Sequence, residues 1–235
     1  MSDKSICRIG VFYDGSYFSY PQRYFYHKRK LGWLSFKPLH SLLESYLRTK
    51  EQGYTHYKIV YASWTQGLFT SKDAQENQLR SDRRQHHDLM HAGVEVKFIP
   101  MSASKVSIAK GDDSETSTSS REKGVDVALA IDALQIGLEG EIDIAVLVTG
   151  DADLVPLVRA LMKQGIRVMV CYFEYKDGDE HSFANERLLS VCNYRPNINS
   201  LEQDKDFKTQ FKELFRRHED FEDEKSAHNS SQNLK

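Results

Sequence analysis

The sequence predicts an α/β fold, a three-layer, Rossmann-like sandwich whose mainly parallel central sheet of about five strands carries helices on both faces. Three observations predict it. Short β-rich apolar runs recur along the chain, longer amphipathic stretches separate them, and the runs are bounded by Gly, Asp, Ser or Pro. Strands alternating with helices imply right-handed crossovers, which make neighbouring strands parallel.

The first strand spans 6–13 (ICRIGVFY) and stops abruptly at Asp14-Gly15-Ser16. A helix follows over 38–48, where Leu39, Leu42, Leu43, Tyr46 and Leu47 repeat at helical spacing behind Pro38. The second strand covers 57–62. A more polar helix over 73–91, anchored by Leu79, Leu89 and Met90, ends at Gly93. Strand three is 94–99, strand four 142–148 and strand five 166–173. Helices over 125–138 and 154–163 lie between them, the second ending at Gly165.

Three stretches depart from the alternation. Residues 16–33 form an aromatic and basic insertion after the first strand. Residues 111–120 (GDDSETSTSS) read as a mobile polar loop. Beyond about Lys205 the chain is charge-dense, with Phe207, Phe211, Leu214 and Phe215 outlining one amphipathic helix before a tail. The expected organisation is one domain over 1–200, with the C-terminal helix and a disordered tail over 201–235.

Composition sets bounds on function. The chain has 235 residues, with Lys+Arg 32 against Asp+Glu 34, a formal net charge of −2. Any nucleic-acid contact must therefore use local basic patches. No apolar run approaches the roughly 20 residues of a membrane span, and the first residues carry no hydrophobic signal region. Cys7, Cys171 and Cys192 lack CxxC spacing and read as reduced thiols of a cytoplasmic protein.

The placement of aspartates is more informative. Asp14 directly follows the first strand, and Asp151 directly follows the fourth. If those strands are neighbours where strand order reverses, the two acids share a crevice at the carboxyl ends of the strands. Asp126 opens the helix leading into strand four, and Asp153 is the next acid after Asp151. Converging carboxylates repel, and a hard cation such as Mg²⁺ or Mn²⁺ resolves the repulsion while orienting a water toward a phosphodiester. Taken singly, Asp14 could simply cap a turn before Gly15, and Asp151 or Asp153 could N-cap the helix at Leu154. Asp132 lies six residues along from Asp126, well round the helix at about 100° per residue, and is assigned a structural role.

These residues resemble the NYN domain. The resemblance rests on Val11-Phe12-Tyr13-Asp14-Gly15-Ser16, on Glu122-Lys123-Gly124-Val125-Asp126-Val127-Ala128 continuing through Asp132, and on Val148-Thr149-Gly150-Asp151-Ala152-Asp153-Leu154-Val155-Pro156. All three stretches occur in order between about Ile6 and Arg195. That family, LabA-like proteins included, belongs to the PIN-like nucleases. The resemblance implies a PIN-like sheet and a metal-dependent ribonuclease in which Asp14, Asp126 and Asp151 bind the metal. Asp153 would be a fourth catalytic acid, and Thr149 would contact the metal site or a phosphate. One position departs from the pattern: Tyr17 stands where the family usually has Asn. A phenol bonds water or carboxylate with a different reach from an amide.

Candidate substrate contacts are Lys28 and Arg29 in the insertion, Arg80 and Arg84 one helical turn apart, and Lys123 beside Asp126. Interleaved aromatics and cations in 17–30 suit single-stranded RNA, while a packed flap with solvated cations is the plainer reading. His87 and His91 are also one turn apart, but no HExxH acid accompanies them. The competing function is an NYN-fold module that binds RNA or protein without turnover, with a homo-oligomer or partner protein meeting the C-terminal helix. A Rossmann nucleotide-binding enzyme ranks third, because neither GxGxxG nor a Walker lysine follows the first strand.

Overall fold

The computed structural model describes residues 4–69, 85–101, 124–178 and 180–216. Five parallel strands form the central sheet: β1 (Lys4–Asp14), β3 (Tyr54–Phe69), β4 (Glu95–Met101), β5 (Ile144–Val148) and β6 (Arg167–Cys171). Their order is β4-β3-β1-β5-β6. The chain builds outward from β1 to one edge and then crosses back to add β5 on its other side. Strand order therefore reverses between β1 and β5, and Tyr13 lies in register with Val148 there.

Both faces of β1 are covered, which explains its continuous apolar run. Cys7, Ile9, Val11 and Tyr13 join the core shared with α1 (Gly15–Arg23) and α2 (Phe36–Lys50), whereas Phe12 joins the opposite core. That second core is filled from α4 (Val125–Leu138), α5 (Val155–Lys163) and α6 (Glu186–Val191). Helix α3 (85–91) contributes Leu89 to the first core. Gly93 and Gly165 follow α3 and α5 with φ of 72° and 80°, the left-handed conformation that glycine adopts without a Cβ clash.

The insertion is helical. Helix α1 runs straight on from β1 and continues into a π-helical turn over Tyr24–Lys28. Phe18, Pro21, Gln22 and Phe25 form its buried i, i+3, i+4, i+7 stripe, with the exposed Tyr20 and Arg23 and the half-buried Tyr24 between them. Phe18 packs edge-on against Trp64 and Phe173, so the packed reading holds for the inner rings.

The C-terminal segment through Arg216 packs on the first core. Ile198, Leu201, Phe207, Phe211 and Leu214 all sit in the β1–α2 core. Strand β9 (Phe215–Arg216) pairs antiparallel with β2 (Trp33–Leu34). The amphipathic helix is short, α7 (Lys208–Glu213), and its apolar side is spent on the protein's own core, with Phe207 against Tyr46 of α2. The loop expected over 111–120 and the tail after 216 lie outside the described residues.

Candidate active site

The crevice opens where strand order reverses, at the carboxyl ends of β1 and β5, and has a volume of about 430 Å³. Asp14, Asp126 and Asp151 all line it, together with Ser16, Tyr17, Val125, Gly150, Ala152, Phe183 and Asn185. Three of these residues begin helical segments: Val125 opens α4, Ala152 opens the 3₁₀ turn feeding α5, and Ser16 is in the first turn of α1. Helix N-termini carry unsatisfied N–H groups and a partial positive charge. The acids thus face three such ends, which favour both carboxylates and a phosphate.

Asp14 is buried. Its Oδ1 accepts from the Tyr17 backbone N–H at 3.0 Å, capping α1, and its Oδ2 accepts from the Thr149 hydroxyl at 3.1 Å. Thr149 is wholly buried, and its Oγ1 in turn accepts from the Asp151 backbone N–H at 3.2 Å. One hydroxyl therefore ties the two strand-end acids together. Asp151 caps the 3₁₀ turn through Asp153 N–H, at 2.8 Å. Capping and crevice roles coexist in both residues: one oxygen fixes the backbone, and the fold points the group into the cavity.

Two close approaches explain the glycines beside these acids. A Cβ on Gly15 would lie 2.7 Å from the Trp64 indole. A Cβ on Gly150 would lie 2.5 Å from the Phe183 carbonyl oxygen and 2.9 Å from the Tyr17 ring. The Asp-Gly and Gly-Asp pairs therefore let β3, α1 and the 183–185 segment close around the acids.

Tyr17 does not replace the missing amide. Its hydroxyl accepts from the Phe173 N–H at 2.9 Å and donates to the Phe173 carbonyl at 3.3 Å. Burial pushes its pKa well above the ordinary phenol value, so the group stays a neutral anchor. Its ring forms part of the crevice wall.

Asp153 is exposed and outside the crevice lining. Lys28 lies 3.6 Å from Asp177, and Arg29 donates to Glu202 at 2.9 Å, so both insertion cations have acid partners away from the three aspartates. Arg80, Arg84 and Lys123 lie outside the described residues. Sequence reasoning missed Ser16, Phe183 and Asn185. Asn185 was recoverable, since it stands immediately before Glu186 and caps α6 by accepting from Arg187 N–H at 2.9 Å. Phe183 carried no sequence signal.

Asp132 occupies a separate buried network. Ser63 donates to it at 2.6 Å, Tyr61 at 3.0 Å, and the Lys97 ammonium pairs with it. Burial opposes the Lys97 charge, but its bonds to Asp132 and Tyr61 outweigh that and hold its pKa raised.

The donor set facing the crevice is oxygen only, with no His or Cys among the lining residues, which suits a hard cation rather than zinc. Among the described residues no group of three or more His, Cys, Asp or Glu is gathered closely enough to ligate one ion directly.

The parallel order with its reversal at β1/β5 and an acidic crevice there defines a PIN-like α/β protein. The family model for the NYN domain matches residues 8–196, and the chain belongs to that family, whose members are PIN-like nucleases. No curated protein and no solved structure gives a significant match. Among the described residues no helix is long and apolar enough to cross a membrane.

Proposed function

We propose that the protein is a metal-dependent ribonuclease that hydrolyses RNA phosphodiester bonds in this crevice. The observation carrying the reading is the convergence of Asp14, Asp126 and Asp151, from three separate segments, beside three helix N-termini. Mg²⁺ or Mn²⁺, held by these acids partly through water, would supply an activated water and charge neutralisation at the phosphate. Asp14 and Asp151 are held at fixed spacing by Thr149, so neither has to be ordered when substrate arrives. The N–H groups opening α4, which no side chain caps, offer donors to non-bridging phosphate oxygens. Ser16 and Asn185 add neutral hydrogen-bonding groups at the rim. Lys123, two residues before α4, and Arg80 and Arg84 remain candidate phosphate contacts. The three free cysteines, two of them buried, support a reducing, cytoplasmic setting.

The anchoring of Tyr17 on Phe173 favours a second reading, in which the crevice binds RNA without turnover because the usual amide is absent. One experiment separates the two. Purified protein is given single-stranded RNA with Mn²⁺, with Mg²⁺ or with EDTA, beside Asp14→Asn, Asp126→Asn and Asp151→Asn. Metal-dependent cleavage by wild type, reduced by about a hundredfold or more in each variant, is expected. Equal activity in wild type and variants refutes the site assignment. Binding with no cleavage in any metal establishes the second reading.

A further inference from the structure

Phe183 is 58 % exposed, yet it stands in the wall of the crevice that holds the three aspartates. Its backbone is firmly placed. The neighbours Ser182 and Ala184 are buried, and the Phe183 carbonyl lies directly over Gly150. The Asn185 N–H donates to the Gly150 carbonyl at 3.0 Å, fastening the segment to the turn that carries Asp151. On its other side the chain comes from an antiparallel hairpin, β7 (Tyr175–Asp177) and β8 (Glu180–Ser182). The hairpin is itself held by Tyr175, whose ring stacks on Tyr24 at 3.8 Å and 7°. His181 lies parallel to the Phe183 ring, with centroids 5.6 Å apart and planes 8° from coplanar.

A large apolar ring on a fixed backbone, more than half exposed in the wall of an acidic crevice, has His181 as its one ring partner among the described residues. Among the described residues every buried aromatic except Tyr175 belongs to one of the two cores, and Phe183 belongs to neither. A flat π-face beside a phosphate-binding site is what an unpaired nucleobase requires, because every base can stack there without sequence-specific contacts.

We propose that Phe183 is a base-stacking platform for the nucleotide next to the phosphodiester in the crevice, and that it selects single-stranded over duplex RNA. A duplex would have to unstack and extrude that base first. The proposal rests on the ribonuclease reading for its substrate class.

The test uses the full chain in the Asp126→Asn background without divalent metal, which removes turnover and reduces repulsion in the crevice. Fluorescence anisotropy measures binding of a single-stranded RNA of about ten nucleotides, a length within common single-strand site sizes, and of the same strand annealed to its complement. Phe183→Ala should weaken single-strand binding roughly 5- to 100-fold and leave the weaker duplex binding unchanged. Phe183→Trp should retain affinity, and its added indole emission should be quenched on binding. Circular dichroism and the urea midpoint check that both variants fold as the parent does. Equal single-strand affinity in Phe183→Ala overturns the proposal. So does equal weakening toward both RNAs, or an unquenched indole in Phe183→Trp. Failure of the ribonuclease reading looks different: binding through Phe183 stands, but metal-supplied wild type does not cleave.

Discussion

Thr149→Val tests the central geometric claim, because it removes one hydroxyl and almost nothing else. The residue is wholly buried, so valine fills the same space with little cavity. Two hydrogen bonds disappear: the 3.1 Å donation to the Asp14 carboxylate and the 3.2 Å acceptance from the Asp151 N–H. A bond to a charged group contributes about 1.5–3 kcal/mol and a neutral one about 0.5–1.5 kcal/mol. Asp14 borders the crevice and recovers some hydration there, which trims the first figure. A net loss of about 2–3 kcal/mol follows, close to 1 M in urea midpoint for an m-value of about 2–3 kcal/mol/M. The two acids also lose their common tether, and misplacement of that kind costs roughly a hundredfold in rate. Equilibrium urea unfolding and single-turnover RNA cleavage in Mn²⁺ read the two effects. Thr149→Ser keeps the hydroxyl and should retain most of both properties. The reasoning is refuted if Thr149→Val matches wild type in midpoint and rate, or if Thr149→Ser falls as far.

Two other outcomes can be measured on the same preparations. Asp132→Ala leaves the Lys97 ammonium and the Ser63 hydroxyl without their carboxylate and should cost about 2–4 kcal/mol; adding Lys97→Met should recover part of the loss, while RNA cleavage per folded molecule stays within about twofold. Loss of cleavage out of proportion to unfolding would instead place Asp132 in the site. Burial lowers the His40 pKa to about 4 from the unfolded 6.5, so the unfolded chain binds the extra proton. Stability from this residue is complete above about pH 6.5 and declines as pH falls toward 4, by up to about 3 kcal/mol. Between pH 7.5 and 4.5 the urea midpoint of wild type should fall relative to that of His40→Leu, and parallel curves would discount the effect.

How far each feature was legible follows from the range of the forces behind it. The five strands were readable because a sheet buried on both faces needs unbroken apolar runs such as Ile144–Val148, where every residue is buried. Helix ends at Gly93 and Gly165 were readable because the left-handed cap is a local property of glycine. Helix α1 was obscured by its composition: its buried stripe of Phe18, Gln22 and Phe25 is interleaved with the exposed Tyr20 and Arg23 and the half-buried Tyr24, so aromatic residues fall on both faces of the helix. The C-terminal segment looked separate because its charge density rises, yet Ile198, Leu201, Phe207, Phe211 and Leu214 all pack into the first core.

The sequence by itself determined the five strands of the central sheet, the helices α2, α4 and α5, and the three aspartates placed at strand and helix ends, since periodicity and capping act over a few residues. Only the tertiary structure decided that β5 pairs with β1, which brings Asp14 and Asp151 to a single buried hydroxyl across 135 residues of chain. It also decided that Tyr17 turns to Phe173, that Asp132 belongs to a separate ion pair with Lys97, and that Phe183 stands exposed over Gly150. Those outcomes depend on contacts between segments far apart in sequence, and such contacts are set by how the layers pack rather than by any local pattern.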